Sequence, residues 1–192
     1  LAHRPVPPAP HPGPAPRLLP IVLPLGILIA ILIRLESSDA PAIFTQERTG
    51  KNGGRFAMYK FRTMPVGIEE ETGPIWSAKN DKRADRLGYF LRKTSLDELP
   101  QFYNVLKGDM SVVGPRPERS YFVEKYKDKI PNYMMKHLVK GGITGWAQIN
   151  GLRGDTNLQK RIEYDLYYIE NWSLGFDIRI ILISSYKGFI NP

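Results

Sequence analysis

The run Arg92-Lys93-Thr94-Ser95-Leu96-Asp97-Glu98 sets two cations just ahead of two adjacent carboxylates. Those are the residue types that handle phosphate. An ionised Asp97 can attack phosphorus as a nucleophile or hold a divalent cation. Arg92 and Lys93 nearby would stabilise the charge that builds up during transfer. The same Ser95-Leu96-Asp97-Glu98 also has the form of a capping box, with Ser95 accepting from the third helical amide and Glu98 reaching back. A helix N-terminus there would favour ionised carboxylates in either case. Further on, Gly114-Pro115-Arg116-Pro117 is a rigid turn presenting one arginine, and guanidinium forks onto phosphate oxygens bidentately. It reads equally as a plain loop with an exposed arginine. Gly141 to Gly151 offers backbone amides, the side-chain amides of Gln148 and Asn150 and the plane of Trp146. Such a loop could cradle a nucleotide or sugar, although it lacks P-loop or dinucleotide spacing.

The elements that must position these groups are legible as patterns. Ala42 to Arg48 reads as a strand, Thr49 to Gly54 as a turn, and Arg55 to Met64 as a second strand with Lys60 and Arg62 on one face. Together they make a hairpin. Pro65 to Asp81 is polar and Gly-containing, a long surface loop. Helical spacing follows in Asp85 to Lys93 and in Leu99, Phe102, Tyr103 and Leu106, where Gly108 supplies the stop. Pro117 is expected to open a helix over Glu118 to Lys129, and Gly141 to Asp155 to be irregular. Thr156 to Ile169 is helical, with Ile162, Leu166 and Ile169 on one stripe. The tail from Phe176 to Phe189 reads as an interfacial helix or a buried one. The fold class is therefore α+β, mostly helical with a small β-hairpin.

Composition narrows the function classes. The chain has 192 residues, 27 Lys+Arg against 19 Asp+Glu, and a net charge of +8. Its length is enough for one domain with a real core. Anionic partners are expected: nucleic acid, phospholipid or a phosphorylated substrate. Cysteine is absent, which removes disulfides, Cys-ligated zinc and a thiol nucleophile. Three histidines, two within the first dozen residues, argue against a His triad or a His-rich metal site. No RNP-type strand or zinc knuckle supports RNA binding, so no nucleic-acid partner is expected. Nine of the 17 prolines fall in the first 24 residues, so Leu1 to Pro20 is not expected to form a regular helix or strand, and residues 1–17 are set apart as a Pro-rich segment. Leu18 to Ile33 then run without a charge, interrupted by Pro20, Pro24 and Gly26. At roughly 20 residues for a crossing the run is short. It reads as a buried core helix or as a segment that enters the membrane, bends at Pro24 and returns.

Taken together, the stretches Tyr59 to Met64, Leu91 to Gln101, Asn104 to Pro117, Gly142 to Gly151 and Glu163 to Tyr168 resemble the bacterial sugar transferase family, the monotopic phosphoglycosyl transferases. Each stretch is weak alone, and their order is specific. The resemblance runs from about Pro20 to the end. It implies an enzyme that moves a sugar-1-phosphate from a UDP-sugar to undecaprenyl phosphate and releases UMP, at the first membrane step of polysaccharide or glycoconjugate assembly. By the same resemblance Asp97 is the nucleophile that forms a phosphosugar ester, and Glu98 is its partner at a Mg²⁺ site. Lys60, Arg62, Arg92, Arg116, Gln148, Asn150, Arg153 and Asp165 are the candidate substrate contacts.

The resemblance also implies a re-entrant helix at residues 18–35 broken at Pro24, interfacial amphipathic helices among membrane lipids, and a catalytic domain over 36–192. That domain would face the cytoplasm at the bacterial inner membrane. One stretch departs: Leu1 to Pro16 lacks the Lys-Arg-x-x-Asp patch with which such domains usually begin. Gly151 to Asp155 resembles the loop of hexose-1-phosphate transferases, favouring glucose or galactose. A homo-oligomer is compatible with the residues. Two other classes stay open at this level, a basic membrane-surface adaptor and a Mg²⁺-dependent diphosphate hydrolase.

Overall fold

The computed structural model of the chain describes residues 15–38, 40–68, 73, 75–76, 81 and 83–190. Most of the Pro-rich start and much of the expected 65–81 loop lie outside them. The order is α1 (Ala15–Glu36), β1 (Ile43–Thr49), β2 (Arg55–Phe61), α2 (Arg86–Lys93), a 3-10 turn (Leu96–Glu98), α3 (Gln101–Lys107) and β3 (Met110–Val113). Then come α4 (Ser120–Tyr126), a further 3-10 segment (Tyr133–Leu138), β4 (Gly141–Thr144), α5 (Trp146–Ile149), α6 (Leu158–Glu170) and α7 (Leu174–Ile190). Helices and small sheets mix, as the α+β expectation requires.

The hairpin forms as expected. β1 and β2 pair antiparallel from Ile43 opposite Phe61 to Thr49 opposite Arg55. Asn52 and Gly53 make the reversal with positive φ, which asparagine and glycine tolerate best. Asn104 of α3 clamps the free edge of β2. Its Oδ1 accepts from the Tyr59 amide at 3.1 Å and its Nδ2 donates to the Ala57 carbonyl at 2.7 Å. One side chain thus satisfies two edge groups that would otherwise be orphaned, and it fixes the strand that carries Lys60.

Three expectations need correction. Gly141 to Asp155 is irregular only in its second half: β4 pairs in parallel with β3, Met110 opposite Gly141 and Val113 opposite Thr144, and α5 follows before the turns of residues 150–155. The pairing extends past the strand ends, with Gly114 N to Thr144 O at 2.9 Å and Gly142 N to Pro115 O at 2.9 Å. A Cβ on Gly142 would collide with the Gly114 backbone, and one on Gly145 with the Gly114 carbonyl. The glycines that looked like loop residues permit backbone-on-backbone contact. Second, no helix starts at Pro117. Glu118 is drawn into a bridge with β1, Thr49 N donating to its carbonyl at 2.9 Å, and α4 begins at Ser120. Third, α1 starts at Ala15, inside the stretch to Pro20 expected to lack regular structure, and continues through Pro20 and Pro24 without a break. Among the described residues no helix is long and apolar enough to cross a membrane.

α1 is packed onto the body of the protein. Leu25, Ile29 and Ile33, at spacing four, meet Phe61 of β2 and Leu87 and Leu91 of α2. That spacing keeps them on one helix face. Leu23, Ile27, Ile31 and Leu35 stay exposed. Val113, Ile149, Tyr168 and Ile180 form another part of the core, joining the parallel pair to α5, α6 and α7.

Candidate active site

Asp97 and Glu98 sit in a single 3-10 turn between α2 and α3. Ser95 enters it with φ 56° and ψ 17° and makes no side-chain cap bond, so the capping-box reading is set aside. A left-handed serine bends the chain sharply enough that both carboxylates turn inward, and both are buried. α2 ends just before this turn, with Asp85 capping its start through the Gly88 amide at 2.5 Å.

Glu98 is surrounded by cations from three other segments. Arg116 donates from Nη2 to Glu98 Oε1 at 2.5 Å and from Nη1 to Oε2 at 3.3 Å. Lys60 Nζ lies 3.6 Å and Arg153 Nη2 3.4 Å from the same Oε1. Burial pushes the Glu98 carboxyl up, but Arg116, Lys60 and Arg153 outweigh it and hold Glu98 well below the usual carboxylate range. Arg116 also meets Gln148 of α5, Nη1 to Oε1 at 3.2 Å, and Gln148 Nε2 donates to the Ile143 carbonyl at 3.3 Å. The rigid Pro-Arg-Pro turn therefore aims its guanidinium from the parallel sheet into the carboxylate turn.

Asp97 differs. It takes no hydrogen bond or ion pair from the described residues. Burial, and then the neighbouring Glu98 charge, push it up to about 6. It stays ionised at neutral pH but is poorly solvated and unpaired, the state that suits a nucleophile. Lys60 moves the other way, down to about 8, through burial and then the charge of Arg116. These five charged groups form one small site with charged partners already oriented.

Of the expected site residues, the structure brings together Asp97, Glu98, Lys60, Arg116, Gln148 and Arg153. The others are engaged elsewhere. Arg62 Nη2 donates to the Ser37 carbonyl at 2.7 Å, just past the end of α1, where carbonyls lack helical partners. Arg92 lies 3.6 Å from Asp81, whose carboxyl the Arg83 hydrogen bonds bring down to about 2. Asn150 turns its amide back to the Trp146 carbonyl at 2.8 Å and is exposed. Asp165 is buried, paired with Lys136 at 3.1 Å. Trp146, read as a free aromatic plane, is packed among Tyr164, Tyr167 and Phe176 with Arg179 beside it.

Sequence reasoning missed the charges behind the site. Glu118, Lys136 and Arg161 are each no more than 3% exposed, and Arg161 and Asp165 stand four apart on α6. Two opposite charges at that spacing share a helix face, which was the available signal. Mg²⁺ fits this donor set in part. It is held as a rule by one or two carboxylates, with phosphate oxygens and water completing six. Asp97, with no partner among the described residues, fits that role. Glu98, occupied by three cations, does not fit while they hold it. Among the described residues no three His, Cys, Asp or Glu side chains cluster as a metal site.

Residues 15–190 match the bacterial sugar transferase family. The chain is 50% identical over 159 residues to the UDP-glucose:undecaprenyl-phosphate glucose-1-phosphate transferase of Escherichia coli, covering 81% of this chain and 34% of the relative. The Klebsiella pneumoniae protein of the same name is 52% identical over equal shares. The UDP-N-acetylgalactosamine-undecaprenyl-phosphate N-acetylgalactosaminephosphotransferase of Aeromonas hydrophila is 47% identical, covering 78% of this chain and 36% of the relative. The chain thus spans about a third of the length of these relatives.

Proposed function

The chain belongs to the bacterial sugar transferase family, and on that premise we propose that it transfers a sugar-1-phosphate from a UDP-sugar to undecaprenyl phosphate. The observation that carries the reading is an unpaired, buried Asp97 beside three cations converging on one neighbouring carboxylate. Such a cluster is suited to a diphosphate. In the first displacement an Asp97 oxygen attacks the sugar-bearing phosphorus, the bond from that phosphorus to the bridging oxygen breaks, and UMP leaves. In the second, an oxygen of the lipid phosphate attacks the same phosphorus and returns Asp97 as a carboxylate. Two displacements let a soluble and a lipid-borne substrate use one small site in turn.

Arg116, Lys60 and Arg153 carry the positive charge that would meet the phosphates, Glu98 holding that charge in position until they arrive. Mg²⁺, bound by Asp97 and substrate oxygens, would neutralise the diphosphate and improve UMP as a leaving group. Access from a membrane surface is supported by exposed apolar stripes. Leu23, Ile27, Ile31 and Leu35 on α1, and Leu174, Ile178, Leu182 and Tyr186 on α7, are all at least half exposed, and spacing four puts each set on one face. On this reading α1 enters the inner membrane from the cytoplasmic side without crossing it. Relatives of this similarity are named for both glucose and N-acetylgalactosamine, and we favour a hexose donor.

The test is nucleotide release from a UDP-sugar panel with Mg²⁺, with and without undecaprenyl phosphate in detergent. Sustained UMP release only with the lipid is the expected result. UDP instead would mean ordinary glycosyl transfer and a wrong role for Asp97. Sustained UMP without lipid would mean a hydrolase. No nucleotide, with salt-sensitive binding to anionic vesicles, would mean the adaptor.

The same site sets a pH profile. Asp97 acts ionised, so protonation below about pH 6 removes activity. Lys60 acts charged, so deprotonation above about pH 8 removes it. A bell-shaped kcat/KM for the UDP-sugar with limbs near those values is expected. In a two-step exchange this parameter reports the first displacement alone, so the lipid phosphate's own titration does not enter. A flat profile from pH 5 to 9 would remove both assignments.

A further inference from the structure

Arg161 lies on the buried face of α6 and does not reach the surface, at 3% exposure. Its guanidinium nevertheless touches three separate segments. Nη1 donates to Glu118 Oε1 at 3.0 Å. Nη2 donates to Thr156 Oγ1 at 2.9 Å and to the Gly154 carbonyl. The same group lies 4.9 Å from the ring of Trp76, which stacks on Phe122 at 3.9 Å.

Two of those contacts fall next to site arginines. Glu118 is two residues from Arg116 across the stiff Pro117, and Gly154 follows Arg153 directly. Both arginines end on Glu98 Oε1, although they come from loops 37 residues apart in sequence (153 − 116). Arg161 grips the roots of both. The grip is reinforced around Glu118, which Lys136 approaches at 3.5 Å while also pairing with Asp165. On the opposite side Arg48 Nη1 holds the Pro117 carbonyl at 3.2 Å. Glu118, Asp165, Lys136 and Arg161 balance two charges against two, all nearly solvent-free. A buried ionic group of this kind contributes little net stability compared with apolar packing. What it supplies is fixed direction, since the planar fork can satisfy several acceptors only in one orientation.

We infer that Arg161 is a positioning residue that sets Arg116 and Arg153 together against the Glu98 carboxylate. The inference rests on the transferase reading, because it concerns how the phosphate-facing cations are held. Arg161 itself touches no substrate.

The test is Arg161→Lys in the full chain, which keeps the charge opposite Glu118 but cannot reach Glu118, Thr156 and Gly154 at once. With the two arginines loosened, kcat/KM for the UDP-sugar is expected to fall about 30-fold, since small displacements in such a site cost up to about 100-fold. A residue acting only on stability would add its effect independently of the arginines. A double-mutant cycle separates the cases. In an Arg116→Lys, Arg153→Ala background, Arg161→Lys is expected to change kcat/KM by no more than about twofold. A full 30-fold loss in that background, or a loss below about threefold in the parent, overturns the inference.

Backbone amide exchange supplies a readout that does not depend on activity. The segments 116–120 and 152–157 are expected to exchange about tenfold faster in Arg161→Lys, with α7 unchanged. Unchanged exchange in both segments overturns the inference. Should the parent chain transfer no sugar phosphate at all, the function reading fails, and the exchange measurement decides on Arg161 by itself.

Discussion

Asp97→Asn yields a folded protein that transfers no sugar phosphate. The carboxamide keeps the shape of the side chain in the Leu96–Glu98 turn but replaces one carboxylate oxygen by NH2 and removes the negative charge that makes the side chain a nucleophile. Loss of a nucleophile that works as part of a unit costs about 10⁴-fold or more in kcat. Stability moves the other way. At pH 7 the parent keeps Asp97 ionised although burial and Glu98 favour its protonated form. An acid whose pKa is raised on folding costs the folded state stability as pH rises past its unfolded value, and fully so above the folded one, so the neutral isostere relieves the cost. The melting temperature at pH 7 is expected to rise by about 2–5 °C, with the gain disappearing near pH 4. Intact mass after mixing with UDP-sugar alone gives the direct view. The parent gains the mass of one sugar phosphate, and the variant gains none. A variant that keeps turnover within tenfold of the parent would sink the covalent route.

Arg116→Ala is expected to harm both chemistry and stability, for separable reasons. Arg116 makes the shortest contact with Glu98, on both carboxylate oxygens, and ties it to Gln148. Removing a preoriented donor of this kind costs about 10²–10³ in kcat/KM. It also leaves Glu98 buried with Lys60 and Arg153 as its remaining cations among the described residues. Breaking a largely buried pair by deleting one partner costs on the order of 2 kcal/mol here, below the fully buried figure because Arg116 is partly exposed. Arg116→Lys restores the charge but not the fork, and is expected to recover stability better than rate. If the alanine variant melts earlier yet keeps kcat/KM within about threefold, Arg116 holds Glu98 and nothing more.

These expectations depend on residues that were legible to different degrees. The hairpin was readable because alternation and an Asn-Gly-Gly turn are local signals. α2, α3, α6 and α7 were readable because apolar spacing over eight or more residues survives any tertiary context, and the stop at Gly108 needs only its positive φ of 85°. The parallel pairing of β3 and β4 was not readable. Four-residue strands carry almost no periodicity, and glycines that permit close backbone contact look the same on the page as glycines of a loop.

The site divides in the same way. Asp97, Glu98 and Arg116 drew attention through residue type, since adjacent carboxylates and a proline-braced arginine have few chemical uses. Their order with the flanking stretches carried the family resemblance. Arg62, Arg92, Asn150 and Asp165 were candidates too and meet other partners in the structure, because a polar side chain does not advertise which partner will reach it first. The sequence by itself determined the fold class, the family and the pair of carboxylates. Only the tertiary structure decided which cations face them and what holds those cations, because ion pairs across 18 to 55 residues depend on where loops are anchored. Arg161 and Glu118 do that anchoring from positions that, read in sequence, are an ordinary helix surface and the residue after a proline.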